Sequence, residues 1–205
     1  MNLKFKIKKL KFNGGFTLIE IVVGMSILAV AVLLISSFGL DIFNSQISFG
    51  RAIEIEQEVQ QTFKILVPEL RSLEPSVNGS FPISQAGSLS LEFYSDTDND
   101  GLSEKIRYFL ENNTLKRSIT PPSGSPPVYD LGDEKIKEVI HDLTNASSPI
   151  FYYYDKNYTG SEPTLAFPIN IPDIRVIKIQ ITVDPDIVGS SPLIFSAQAT
   201  PRNLR

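Results

Sequence analysis

The 205-residue sequence contains no cysteine, which excludes a disulfide framework and thiolate metal sites and leaves the redox compartment open. Histidine is nearly absent too. With His141 alone, a histidine-based metal centre or a Ser-His-Asp triad lacks its parts. There is no glycine-rich phosphate loop, and the abundant acidic residues do not single out an acid–base pair, so the chain is not expected to be an enzyme. Charge is missing from Ile21 to Leu40, and the next acid is Asp41. At ~1.5 Å per residue a helix over that run is about 30 Å long, the thickness of a bilayer's hydrocarbon core.

What precedes the run is one-sided. Lys4, Lys6, Lys8, Lys9 and Lys11 stand in the first fifteen residues with no acid among them. Without those five lysines the balance of 19 basic and 23 acidic groups becomes 14 and 23, and the formal charge moves from −4 to about −9. The result is an acidic body on a basic-flanked membrane segment, oriented with the lysines in the cytoplasm. The basic cluster does not spread over a folded face, so no nucleic-acid footprint is evident.

An ordinary signal peptide has an apolar core of 7–15 residues followed by small residues at its cleavage site. Here the apolar run is longer, and the small pair Gly14-Gly15 comes before it. A peptidase acting between Gly15 and Phe16 would remove the lysines and leave the hydrophobic helix on the mature protein. Glu20, four residues on, sits at the edge of that helix. A carboxylate at the centre of a membrane helix costs up to ~2.5–3.5 kcal/mol on insertion scales, and such residues are usually functional. The plainer reading is an interfacial acid stabilised by the N-terminal end of the helix dipole.

The lysine-rich leader, Gly15, the run Phe16-Thr17-Leu18-Ile19-Glu20 and the long apolar helix together resemble the prepilin signal of type IV pilins and type II secretion pseudopilins. The resemblance covers roughly residues 1–45. It implies cleavage between Gly15 and Phe16 by a prepilin peptidase, N-methylation of Phe16, and assembly with other pilin or pseudopilin subunits into a helical filament. It also implies a partner for Glu20, the cationic N-terminal amine of a neighbouring subunit. Opposite charges ~4 Å apart at an effective dielectric of about 20 attract by ~4 kcal/mol. A plain single-pass anchor for an extracytoplasmic binding module is the alternative, and it leaves the leader unexplained.

Beyond Leu40 the pattern becomes one-sided. Ile55, Val59, Phe63, Leu66, Leu70 and Leu73 recur at helical spacing among Glu54, Glu56, Gln57, Glu58, Gln60, Gln61 and Lys64, which predicts an amphipathic continuation of the membrane helix packed on a sheet. Pro75 predicts an end near Glu74, with Pro68 a kink or an earlier stop. No proline lies between Phe16 and Val67, unlike many major pilins, which leaves Gly24 and Gly39 as the soft points of that helix.

From Leu89 onward, alternation predicts strands around Leu89–Tyr94, Lys105–Leu110, Thr114–Ile119 after the turn-prone Asn112-Asn113, Ile150–Tyr154, Ile177–Val183 and Leu193–Ala199. Residues 120–132 read as a proline- and glycine-rich loop. Ile136, Val139, Ile140 and Leu143 predict a short helix capped by Asp133, with His141 at its boundary. The whole is α+β, a long N-terminal helix on an antiparallel sheet. Its expected parts are a leader at 1–15, a membrane and assembly helix at 16–40, its amphipathic continuation at 41–75 and a β-rich extracytoplasmic domain at 76–205. The pieces LEFYSDTDNDG, EKIRYFLENNTLKR, IFYYYD and RNLR loosely resemble J-type minor pseudopilins, which implies a minor subunit of a filament tip.

Asp96-Thr97-Asp98-Asn99-Asp100-Gly101 has the D-x-D-x-D-G spacing that converges carboxylates on Ca²⁺, with Glu104 at the ninth position. The twelfth is Arg107, where an EF-hand needs a glutamate, so a full EF-hand is excluded. Either the loop chelates calcium through Asp96, Asp98, Asp100, the Leu102 carbonyl and Glu104, or these residues simply form a good turn.

Overall fold

A computed structural model of the chain describes residues 14–145, 148–184 and 192–204; within its helix, residues 37–49 are described by their backbone alone. Lys4, Lys6, Lys8, Lys9 and Lys11 lie outside the described residues. The chain divides into two compact units, Met1–Gln46 and Ile47–Arg205. One helix, α1, is assigned over Leu18–Arg71.

In the second unit, α1 buries Ile55, Val59, Leu66 and Leu70 along the expected stripe. Two polar residues share that buried side, and each has a partner on the sheet. Thr62 Oγ1 donates to the Val139 carbonyl, and Glu69 meets Tyr108 and Arg117. The helix runs through Pro68 and stops at Arg71, three residues short of the expected end. Pro68 lies in the last turn, and its carbonyl accepts from the Ser72 amide at 3.0 Å, which closes that turn.

The helix packs on two antiparallel sheets that share one core. The larger contains β1 (Ile83–Ala86), β2 (Ser90–Ser95), β3 (Glu104–Glu111), β4 (Thr114–Thr120) and, after the ribbon of β5 (Pro122–Ser123) and β6 (Val128–Tyr129), β7 (Lys135–Ile140). The smaller has the order β10 (Leu193–Ala199), β9 (Val176–Val183), β8 (Phe151–Tyr154). Alternation drives both: Leu91, Phe93, Ile106 and Tyr108 point inward from the first sheet, and Ile177, Ile179, Ile181 and Val183 from the second. The β3–β4 turn sets Asn112 at φ 50° and Asn113 at φ 60°, the pair of left-handed positions that a two-residue hairpin loop demands.

Where a helix is expected over Ile136–Leu143 the chain forms strand β7 as far as Ile140, and Leu143 makes an isolated bridge to Val183; the cap is Asp130, whose Oδ1 accepts from the Gly132 amide of a 3-10 turn at Leu131–Asp133. The physical reason is a bulge. Glu138 pairs with Lys116 and Ile140 with Leu115, so Val139 is an extra residue on β7. That insertion sets Val139 beside Ile140 and turns a strand's alternation into spacings that imitate a helix.

Candidate functional site

The N-terminal unit presents a peptide junction followed by a bare apolar helix. Gly14 to Thr17 lie ahead of the first helical turn, and Gly15 and Phe16 are exposed. A Cβ on Gly15 would meet nothing within 4 Å, so space within the described chain gives no reason for glycine there. Leu18–Ser36 is long and apolar enough to cross a membrane, with a mean hydropathy of 2.8, and every residue of it is exposed.

Glu20 has a local partner that the sequence analysis missed. The Thr17 amide and the Thr17 hydroxyl donate to Glu20 Oε2 at 2.8 and 2.9 Å, while the Glu20 amide donates back to Thr17 Oγ1 at 3.3 Å. This reciprocal arrangement is a capping box, in which threonine and glutamate three residues apart satisfy amides that a helix start leaves open. The T-x-x-E spacing was visible in the sequence. Both Thr17 bonds fall on Oε2, and Glu20 Oε1 has no partner among the described residues.

In the second unit the acidic loop joins β2 to β3, whose last pair is Ser95 with Glu104. Strands on both sides replace the helices of an EF-hand. Asp96 Oδ1 and Oδ2 accept from the Asn99 and Gly101 amides at 2.7 and 3.0 Å. Asp98 accepts from the Asp100 amide, and Asp100 from the Leu102 amide. Asn99 and Gly101 take φ of 62° and 89°, the left-handed turns that fold the loop back on itself. Buried Glu104 accepts from the Thr97 amide and hydroxyl, both at 2.7 Å. One carboxylate oxygen from each of Asp96, Asp98, Asp100 and Glu104 falls within 4.8 Å of the others. Leu102 is placed by its amide, and Arg107 turns away to Glu134 at 2.8 Å. Hard oxygen donors at this spacing are the chemistry that Ca²⁺ takes.

His141, expected at a boundary, is half-exposed between two carboxylates. Nδ1 lies 2.9 Å from Glu58 Oε1 on α1, the His141 amide donates to Glu58 Oε2 at 3.0 Å, and Nε2 lies 3.4 Å from Glu138. Arg51 of α1 pairs with the adjacent Asp142 at 3.1 Å. The carboxylate of Glu58 first, and Glu138 with it, raise His141 above the ordinary imidazole range. These contacts fasten α1 to the end of β7.

Against known families, residues 10–36 match the prokaryotic N-terminal methylation motif. The match spans the processing junction, the capping box and the apolar helix. No curated protein matches the chain. The motif supports a prepilin signal of the type IV pilin and pseudopilin kind, and marks the chain as a prepilin-like substrate of a prepilin peptidase. Processing by that peptidase, assembly with other pilin subunits and a membrane-anchored, structural role follow from the motif at this level of detail.

Proposed function

We propose that the chain is a minor pilin or pseudopilin subunit, cut between Gly15 and Phe16, N-methylated on Phe16 and added through its apolar helix to a type IV pilus or type II secretion pseudopilus. One observation supports this reading: the methylation motif runs from the Gly15–Phe16 junction, where a side chain on Gly15 would meet nothing among the described residues, through an exposed helix of membrane length. Removing the leader takes off five lysines and creates a positive terminus at Phe16. Glu20 is already tied to Thr17 through one oxygen, and Oε1, which has no partner among the described residues, is available to the Phe16 amine of an adjoining subunit. Before assembly the subunit is held as a single-pass membrane protein, leader inward and β-rich domain outside.

Mass spectrometry of the N-terminus from membranes tests the reading. A mature chain beginning at methyl-Phe16 supports it, and a chain retaining its lysines is a plain anchor instead.

The loop carries a second reading on its own observation. Four carboxylates drawn within 4.8 Å, one of them buried, support a calcium site built from Asp96, Asp98, Asp100 and Glu104, completed by the Leu102 carbonyl. The ion would pin the β2–β3 connection of the extracytoplasmic domain. The same carboxylates already hold the turn through backbone amides, so calcium would add to a preformed loop.

A further inference from the structure

The two sheets leave four edges, and they are not treated alike. β1 has four residues and a register break between Ile83 and Gln85. β7 carries Lys135, Lys137 and Glu138 and the bulge at Val139. β8 has four residues, and on its outer side the Phe151 amide donates to the Ser88 carbonyl and the Tyr153 carbonyl accepts from the Leu165 amide, so chain covers it. These are the devices by which proteins blunt an open edge. β10 has none of them. Its seven residues, Leu193-Ile194-Phe195-Ser196-Ala197-Gln198-Ala199, carry no charge and no proline, pair with β9 along their whole length, and make no other hydrogen bond among the described residues.

We propose that the outer edge of β10 pairs antiparallel with β10 of a second copy of this chain, about a two-fold axis at Ser196. The register follows from backbone geometry. Alternate residues of an edge strand turn their amide and carbonyl outward, so an outward residue of one copy must meet an outward residue of the other. In self-pairing that places the axis on a residue, and only Ser196 engages all seven. Leu193 then faces Ala199, Ile194 faces Gln198, Phe195 faces Ala197, and the two Ser196 face each other.

The sequence fits that register. On the inner side each large residue meets an alanine, extending the apolar layer in which Phe195 and Ala197 already border the core. Ile194, 64% exposed, gains cover from the Gln198 stem. Charge argues for a like partner as well. Each copy has a formal net charge of −4, and the uncharged β10 edge brings two copies together with no carboxylate opposite another along the strands. A strand pair alone is smaller than the ~1,200 Å² of a stable interface, so the contact works between copies concentrated in one membrane before assembly, where a two-fold pair closes on itself. It uses no residue of the N-terminal signal, and the two readings fail separately.

The absence of cysteine makes the test clean, because an introduced thiol is the only one. Full-length Ser196→Cys in membrane vesicles, oxidised with copper phenanthroline, should give disulfide-linked dimers, since facing Cβ atoms lie ~4.5–5.5 Å apart. Gln198→Cys is the control: the two thiols would stand about four residues, ~13 Å, apart along the strands, and should cross-link at least ~10-fold more slowly. Ile194→Cys mixed with Gln198→Cys should form heterodimers. The proposal falls if Ser196→Cys stays monomeric or reacts no faster than Gln198→Cys. It falls equally if the Ile194/Gln198 mixture gives no cross-link.

Discussion

The Tyr108 hydroxyl on β3 donates to Glu69 Oε2 on α1 across 2.8 Å, and Arg117 of β4 binds the other oxygen of the same carboxylate. Burial pushes Glu69 up from its ordinary range, while the guanidinium and the phenol pull against that shift. A charge drawn under a sheet is tolerable only with both partners in place. Glu69→Ala, which leaves Arg117 uncompensated, should cost about 3–5 kcal/mol in urea unfolding of the detergent-solubilised chain. Tyr108→Phe, which removes one bond to a charged group, should cost about 1.5–3 kcal/mol. Glu69→Met with Arg117→Met should cost clearly less than the sum of the single changes. Additive losses would mean that the three groups do not act as a unit.

The clasp between His141 and Glu58 predicts a pH dependence with a definite sign. His141 binds its proton more tightly folded than unfolded, where its value is near 6.5. The stabilisation is therefore complete below that value and lost as pH rises through the folded one. Glu138 is held below the usual carboxylate range, first by Lys116 and then by His141, so its share is present at neutral pH and lost in acid. Urea midpoints measured from pH 5 to 9 should fall on the alkaline side of 6.5, and His141→Gln should flatten that fall. Because the pair is half-exposed and screened, the change should stay below about 1 kcal/mol.

Legibility in the sequence followed the range of the interaction. The processing signal and the T-x-x-E cap are local, and so is the Asn112-Asn113 turn. Strand β9 was readable because Ile177, Ile179, Ile181 and Val183 alternate against one core. β7 was not, because a one-residue bulge at Val139 and an exposed Ile136 removed the alternation. β1 was missed since Ile83-Ser84-Gln85-Ala86 is too short to show a period. Glu69 with Arg117 and Glu58 with His141 are separated by 48 and 83 residues. No local pattern announces such pairs; only the fold brings them together.

Calcium should act on the β2–β3 loop as a ligand of the folded state alone. Thermal unfolding in excess calcium, against the same chain in chelator, should show an upward shift, worth ~2.7 kcal/mol at a free concentration a hundredfold above Kd. Asp98→Asn keeps an acceptor for the Asp100 amide and removes one ligand charge, so it should lose the calcium response while preserving the turn. Isothermal titration giving no heat at millimolar calcium would reduce the loop to a turn.

Glu20 carries two duties that substitution can separate. A glutamine can complete a capping box as glutamate does, since its amide oxygen accepts from the Thr17 amide. Glu20→Gln should therefore keep the helix start intact while abolishing attraction for a neighbour's Phe16 amine. Thr17→Ala does the reverse, removing the threonine hydroxyl from the cap at a cost of about 0.5–2 kcal/mol and leaving the carboxylate charged. Filament yield in cells should drop at least ~10-fold for Glu20→Gln, since every ~1.4 kcal/mol of lost attraction is a factor of ten, and stay near normal for Thr17→Ala. Helix content by circular dichroism should show a small loss in the threonine variant alone. Should Glu20→Gln assemble normally and Thr17→Ala fail, the carboxylate serves its own helix, and the subunit contact must be sought elsewhere on the apolar surface.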